Sequence, residues 1–159
     1  ASTGLHGANR LASNSLIEGL VAGMRAAKSA AKSARNGHKP RVKFEREMRS
    51  THRLDLADMQ NSLKGAMWRY LGVERDQHGM TELVRQLERW LKRVGEQERH
   101  YPSEWQLENM LIVGLAMAKS AALRTESRGV HYRLDFPNPR AELAGKHVCV
   151  SLRQEPWLE

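Results

Sequence analysis

Three stretches of apolar residues at helical spacing follow one another closely and constrain this chain more than anything else in it. The first runs Leu56, Met59, Leu63, Met67, Tyr70 and Leu71. The second is Leu83, Leu87, Trp90, Leu91 and Val94, and the third is Leu107, Met110, Leu111, Gly114, Leu115, Ala118 and Ala122. At 3.6 residues per turn each set falls on one side of a helix. Three one-sided helices joined by short connections can bury their stripes together as an antiparallel three-helix bundle. The punctuation agrees with this: Gly72 and Gly95 stand where the first two helices should stop, and Ser103, after Pro102 and three residues ahead of Gln106, has the spacing of a capping box.

Upstream of the bundle, residues 1–12 have a loop composition rich in Gly, Ser and Asn. From Ser13 onward Leu16, Ile17, Leu20, Val21 and Met24 mark another helical face, continued through an Ala/Lys/Ser run to a stop near Asn36-Gly37. Residues 38–53 are charged and carry Pro40, a linker composition. Downstream, Val130, Tyr132 and Leu134 alternate with polar residues, and the alternation returns from His147 to Leu152. That pattern reads as two short strands or an extended tail lying on a neighbour. The expected organisation is therefore mainly α: a loop-helix arm over 1–37, a linker over 38–53, a three-helix bundle over 54–126 and an extended or β tail over 127–159.

Composition narrows the function classes. No window approaches the roughly 20 apolar residues of a membrane-spanning helix, so no membrane partner is expected. The single cysteine, Cys149 between two valines, cannot close an internal disulfide and reads as a buried thiol, which makes the cytoplasm the default compartment. The seven histidines show no metal-ligand spacing, and no metal is expected. The net charge of +8 raises a small basic nucleic-acid-binding module as an alternative. With the cations read as spread from Arg10 to Arg153, nucleic acid is not the expected partner. The tryptophans and methionines on the helical stripes read as core or edge packing.

The segment that speaks to chemistry is Thr3-Gly4-Leu5-His6-Gly7-Ala8-Asn9-Arg10-Leu11-Ala12-Ser13-Asn14-Ser15-Leu16, a loop with one cation running straight into a helix start. Unpaired amides at a helix N-terminus suit an anion or an electron-rich carbonyl, and Arg10 adds a planar fork for a carboxylate. Spacing alone favours a plain helix cap and a surface arginine. The run nevertheless resembles, almost unbroken, the loop-and-helix signature that closes the flavin-binding domain in the fumarate reductase and succinate dehydrogenase flavoprotein superfamily. Thr3-Gly4-Leu5 and Ala12-Ser13-Asn14-Ser15 are similar to the L-aspartate oxidase branch, whereas succinate-oxidising members usually carry Gly-Ala-Asn-Ser there. A second run, Glu126-Ser127-Arg128-Gly129-Val130-His131-Tyr132-Arg133-Leu134-Asp135-Phe136-Pro137, resembles the segment that follows the helical bundle throughout the superfamily.

The resemblance implies that Arg10 binds and polarises a substrate carboxylate, and that Ser15 and Leu16, with Asn14 beside them, meet the pyrimidine end of FAD through backbone amides. It implies a C-terminal fragment of an enzyme oxidising L-aspartate to iminoaspartate, at the start of quinolinate and NAD synthesis. A fragment of a succinate dehydrogenase or fumarate reductase flavoprotein subunit is the neighbouring alternative, and a docking domain for a separate flavin protein is another. No G-x-G-x-x-G follows a strand here, so the FAD pyrophosphate cradle and the capping domain are expected partners supplied from elsewhere. The opening at Ala1 without Met reads as a cut from something longer, and the isolated chain is expected to be inactive. Arg128, His131 and Arg133 are expected to be structural rather than catalytic.

Overall fold

The computed structural model describes residue 6 and residues 13–35, 55–97, 101–151 and 154–159, and the chain divides into two units, residues 1–47 and 48–159. The expected linker over 38–53 lies outside the described residues. In the first unit, α1 spans Asn14–Arg35 and buries no residue of its own. Its expected apolar face is present but uncovered, with Leu16 at 77% and Leu20 at 71% exposure. Lys32 and Arg35 in the last turn offset the negative end of the helix dipole.

The second unit contains the bundle. Helix α2 (Leu56–Leu71) is capped by Asp55, whose Oδ1 accepts the Asp58 amide at 3.0 Å. Helix α3 (Gln77–Gly95) is capped by Asp76, which accepts the Gly79 amide at 2.7 Å. These carboxylates satisfy donors that a helix start leaves unpaired and stand at its positive end. Helix α4 (Pro102–Leu123) begins earlier than the expected Ser103 box: Pro102 occupies the first turn, and the Glu104 carboxylate accepts the Tyr101 amide at 2.9 Å. Proline lacks the N–H that this position would leave unused and has its φ preset for a helix, so it draws the start toward itself.

All three helix pairs pack against one another. The core is Leu63, Leu71, Met80, Leu83, Leu87, Val94, Leu107, Leu111 and Ala118, drawn from all three expected stripes. Gly114 lets α4 close on its neighbours, because a Cβ there would stand 3.3 Å from Met67 Sδ and 3.6 Å from Leu87 Cδ1. Gly72 is required for another reason: a Cβ would lie 2.4 Å from the Trp68 carbonyl oxygen, so only glycine turns the chain out of α2 at this point.

That turn delivers a two-residue strand, β1 (Glu74–Arg75), which pairs in parallel with β2 (Tyr132–Arg133). The tail closes with a single 3-10 turn at Ala141–Leu143 and an antiparallel hairpin, β3 (Val148–Ser151) with β4 (Gln154–Leu158), which packs on α4.

Several expectations change here. The alternation after Arg128 is inverted: Val130, Tyr132 and Leu134 are exposed, and Arg133 is the buried residue. Trp68 (75% exposed), Trp105 (52%) and Met117 (52%) are outside the core, while Trp90 packs against it. Cys149 is half-buried rather than buried, with its thiol donating to Glu159 at 3.4 Å, and the Glu159 carboxylate holds the thiol above its ordinary pKa. The charge is not spread either. Residues 55–159 hold 15 Lys/Arg against 15 Asp/Glu, and residues 1–54 hold 11 against 3, so the whole excess lies upstream of the bundle.

Candidate functional site

The three residues singled out at the helix start lie together in the first turn of α1. Ser13 leads in with φ 74°, a left-handed conformation that a serine adopts only at some cost, and its carbonyl accepts the Leu16 amide at 3.2 Å. The Leu16 amide is thus committed to the turn, whereas those of Asn14 and Ser15 have no hydrogen-bond partner among the described residues. Asn14 and Leu16 are exposed and Ser15 is half-buried. The imidazole of His6 is bonded to the Glu18 carboxylate one turn further on, which ties the incoming loop to the helix. Arg10 lies outside the described residues.

The first-turn amides at the positive end of a 22-residue helix are donors of the kind that an electron-rich carbonyl or a carboxylate takes, so the residues present fit the pyrimidine end of a flavin. Among the described residues no group of three or more His, Cys, Asp or Glu side chains could hold a metal ion, and no helix is long and apolar enough to cross a membrane.

The second signature folds into a buried ion network at the end of α4. Glu126 is fully buried. Arg128 donates to both of its oxygens, from Nε at 2.9 Å and from Nη2 at 3.0 Å; the Arg140 amide donates at 2.7 Å, and Arg124 Nη1 is bonded to the same carboxylate. The Arg128 fork does most to bring the Glu126 pKa down to about 2, against the opposing effect of burial.

Arg133, also fully buried, spends all its guanidinium donors. Nε and Nη2 bond Asp135 at 2.9 and 2.6 Å, Nη2 also reaches Gln77 Oε1 at 3.0 Å, and Nη1 bonds the carbonyls of Ala122 and Arg124 at 3.0 and 3.2 Å. The guanidinium also stands 4.7 Å from the centre of the Phe136 ring. Asp135 in turn accepts the Gln77 amide at 3.0 Å, at the positive end of α3. Arg133 lowers the Asp135 pKa.

His131 sits between Arg75 Nη1 at 2.8 Å and the Arg124 carbonyl at 3.1 Å. An arginine can only donate and a carbonyl can only accept, so these partners assign the proton to Nε2 and leave Nδ1 as acceptor. Burial holds the His131 pKa below its ordinary value, and the nearby guanidiniums of Arg75, Arg133 and Arg124 act in the same direction.

Its donors point at carbonyls and carboxylates of the tail or the bundle, and from Arg75 at the His131 imidazole, so the network's work is to fasten residues 126–140 to the helix ends. Arg128, His131 and Arg133 hold the tail to the bundle. Gln77 and Arg75 were not singled out from the sequence, because their roles depend on partners 56 to 58 residues away.

The sign of the pH response follows from these groups. Both Glu126 and His131 have lowered pKa values in the folded chain, so each contributes stability that is lost as pH falls. His131 begins to act below about 6.5, and Glu126 acts between its ordinary 4.5 and about 2. Urea unfolding of residues 48–159 is expected to give a midpoint that falls on acidification through both windows. In Glu126→Gln the slope between pH 4.5 and 2 should flatten while the part near pH 6 stays. An unchanged slope in that variant would show that Glu126 is not the linked group.

The comparisons with known proteins point one way. The family described as the fumarate reductase flavoprotein C-terminal domain matches residues 60–158. The L-aspartate oxidase of Saccharolobus solfataricus is 38% identical over 148 residues, covering 92% of this chain and 28% of that protein. The L-aspartate oxidase of Halalkalibacterium halodurans is 35% identical over 147 residues, covering 87% of this chain and 27% of that protein. Among solved structures, the Mycobacterium smegmatis Sdh1 structure in complex with UQ1 is similar in fold, with a TM-score of 0.51 at 24% identity over 67% of this chain and 20% of that one. The chain spans just over a quarter of the length of the curated relatives it matches.

Proposed function

Because the chain belongs to the fumarate reductase flavoprotein C-terminal family, we propose that it forms the C-terminal part of an FAD-dependent L-aspartate oxidase, completed by flavin-binding and capping domains. The observation that carries this reading is the pairing of that family match with the identity to L-aspartate oxidases, which covers 92% of the chain and so reaches upstream of the bundle into α1. In the proposed reaction L-aspartate loses a hydride from its α-carbon and a proton from its amine to give iminoaspartate, the first step toward quinolinate and NAD. FAD, when bound, supplies the hydride acceptor.

This chain's own residues bind and orient. Arg10 takes a substrate carboxylate in its fork and fixes the reacting carbon. The first-turn amides of Ser15 and Leu16, with Asn14 beside them, lie where the α1 dipole favours negative charge, so they stabilise charge that collects at the pyrimidine end. Because backbone amides do this, side-chain changes at Asn14 and Ser15 matter less than a change in the turn at Ser13. The enzyme is placed in the cytoplasm.

The pyrophosphate cradle is not in this chain, so the isolated 159 residues are expected to lose flavin on gel filtration and to show no aspartate oxidation. Absorbance of the purified chain checks this; flavin retained at one equivalent would contradict it.

A further inference from the structure

The second half of α1 carries, in regular order, part of the positive charge that lies upstream of the bundle. Arg25, Lys28, Lys32 and Arg35 follow one another at steps of three, four and three residues. At 3.6 residues per turn these steps keep all four within an arc of about 80°, along about 15 Å of helix. The cations therefore form one stripe. Every residue from Arg25 to Arg35 is exposed, and those between the cations are all Ala or Ser, too short to hold a partner away from the helix.

No carboxylate neutralises the stripe among the described residues. The acidic residue of α1 is Glu18, about two turns ahead of Arg25 and bonded to His6. The second unit is different: Arg85 pairs with Glu82, Lys119 stands between Glu88 and Glu155, and Arg124 and Arg128 share Glu126. A row of cations without acids suits a row of phosphates, because neutralising the phosphates releases their condensed counterions.

The makeup of the stripe selects among polyanions. An anionic membrane holds an amphipathic helix by large apolar side chains lying beside its cations. In α1 the large apolar residues, Leu16, Ile17, Leu20, Val21 and Met24, all precede Arg25, and none lies within the stripe. A protein partner would be anchored by aromatic or aliphatic side chains, which the stripe also lacks. A nucleic-acid backbone needs neither, and a duplex presents a charge every ~1.7 Å along a straight axis that a straight helix can follow. We propose that α1 binds the phosphate backbone of a nucleic-acid duplex through Arg25, Lys28, Lys32 and Arg35, without selecting a base sequence.

Fluorescence anisotropy of a labelled mixed-sequence duplex, titrated with the 159-residue chain over a range of salt concentrations, tests this. Four phosphate contacts predict that log Kobs falls with log salt at a slope of about −3.6 or steeper, a loss of about 10²-fold between roughly 50 and 200 mM salt. Lys28→Gln, Lys32→Gln and Arg35→Gln combined should flatten that slope by about 3 and weaken binding about tenfold or more at the lower salt. Glutamine is as good a helix former as lysine or arginine, so the far-UV circular dichroism of this variant should be unchanged. Lys64→Gln, Arg69→Gln and Arg93→Gln combined remove the same charge from exposed positions of α2 and α3 and should leave binding as it was. Equal weakening by the two triple variants would reduce the effect to net charge and overturn the proposal. So would undiminished binding in the α1 variant, or no binding of the duplex at the lower salt. Binding to phosphatidylserine vesicles that the duplex fails to compete away would assign the stripe to a membrane surface and overturn it as well.

Discussion

Arg10→Leu in the intact flavoprotein is expected to lower kcat/KM for L-aspartate by about 10²–10³-fold or more, the size of loss seen when one preorganised charge-stabilising donor is removed from a water-excluded site. The fork holds a carboxylate by two parallel bonds, so its loss removes both binding energy and orientation. Arg10→Lys keeps the charge without the planar fork and should recover only part of the activity. Flavin content should stay unchanged in both variants, because the proposed contacts to FAD are backbone amides of the α1 turn. Steady-state kinetics with aspartate, together with the flavin spectrum, reads both quantities. Equal kcat/KM in wild type and Arg10→Leu would remove Arg10 from the substrate site.

Arg133→Ala is expected to be the most damaging single change to the second unit, costing about 3–5 kcal/mol, as when one partner is taken from a buried ion pair. Arg133 has no exposed surface and links Asp135, Gln77 and two carbonyls at the end of α4. Removing it strands these acceptors and releases the β1–β2 pairing, in which Arg75 faces Arg133. Arg133→Lys should lose nearly as much, since one ammonium cannot reach acceptors arranged around a planar fork. Urea unfolding of the 159-residue chain is the check. A loss below about 1 kcal/mol would place the network among ordinary surface ion pairs.

The bundle was legible because its signal is local and repeated: Leu63, Leu83, Leu87, Leu107 and Leu111 fall at helical spacing and are all buried. What stayed hidden depends on distant partners. The pairing of Glu74–Arg75 with Tyr132–Arg133 joins residues 58 positions apart, and two residues carry too little pattern to mark a strand. In Gln154–Leu158, Pro156 breaks the usual strand pattern, yet the segment pairs on one side as half of a hairpin. The burial of Arg133 does not follow from the alternation around it, and only the ring of acceptors explains a buried guanidinium. Trp68 and Trp105 read as core or edge packing from spacing, and both stand more than half exposed.

Of the candidate site, the loop-to-helix geometry could be read from Ser13-Asn14-Ser15. Its link to flavin and to a carboxylate came from resemblance, since a helix N-terminus beside an arginine serves many anions. The structure adds that the Leu16 amide is bonded to the Ser13 carbonyl.

The most direct test of the central claim is anaerobic reduction of bound flavin in the intact protein by L-aspartate and, separately, by succinate. An L-aspartate oxidase is expected to bleach its flavin with aspartate and not with succinate, and to lose the aspartate response in Arg10→Leu. Bleaching by succinate with no response to aspartate would contradict the account and place the chain in a succinate-oxidising flavoprotein.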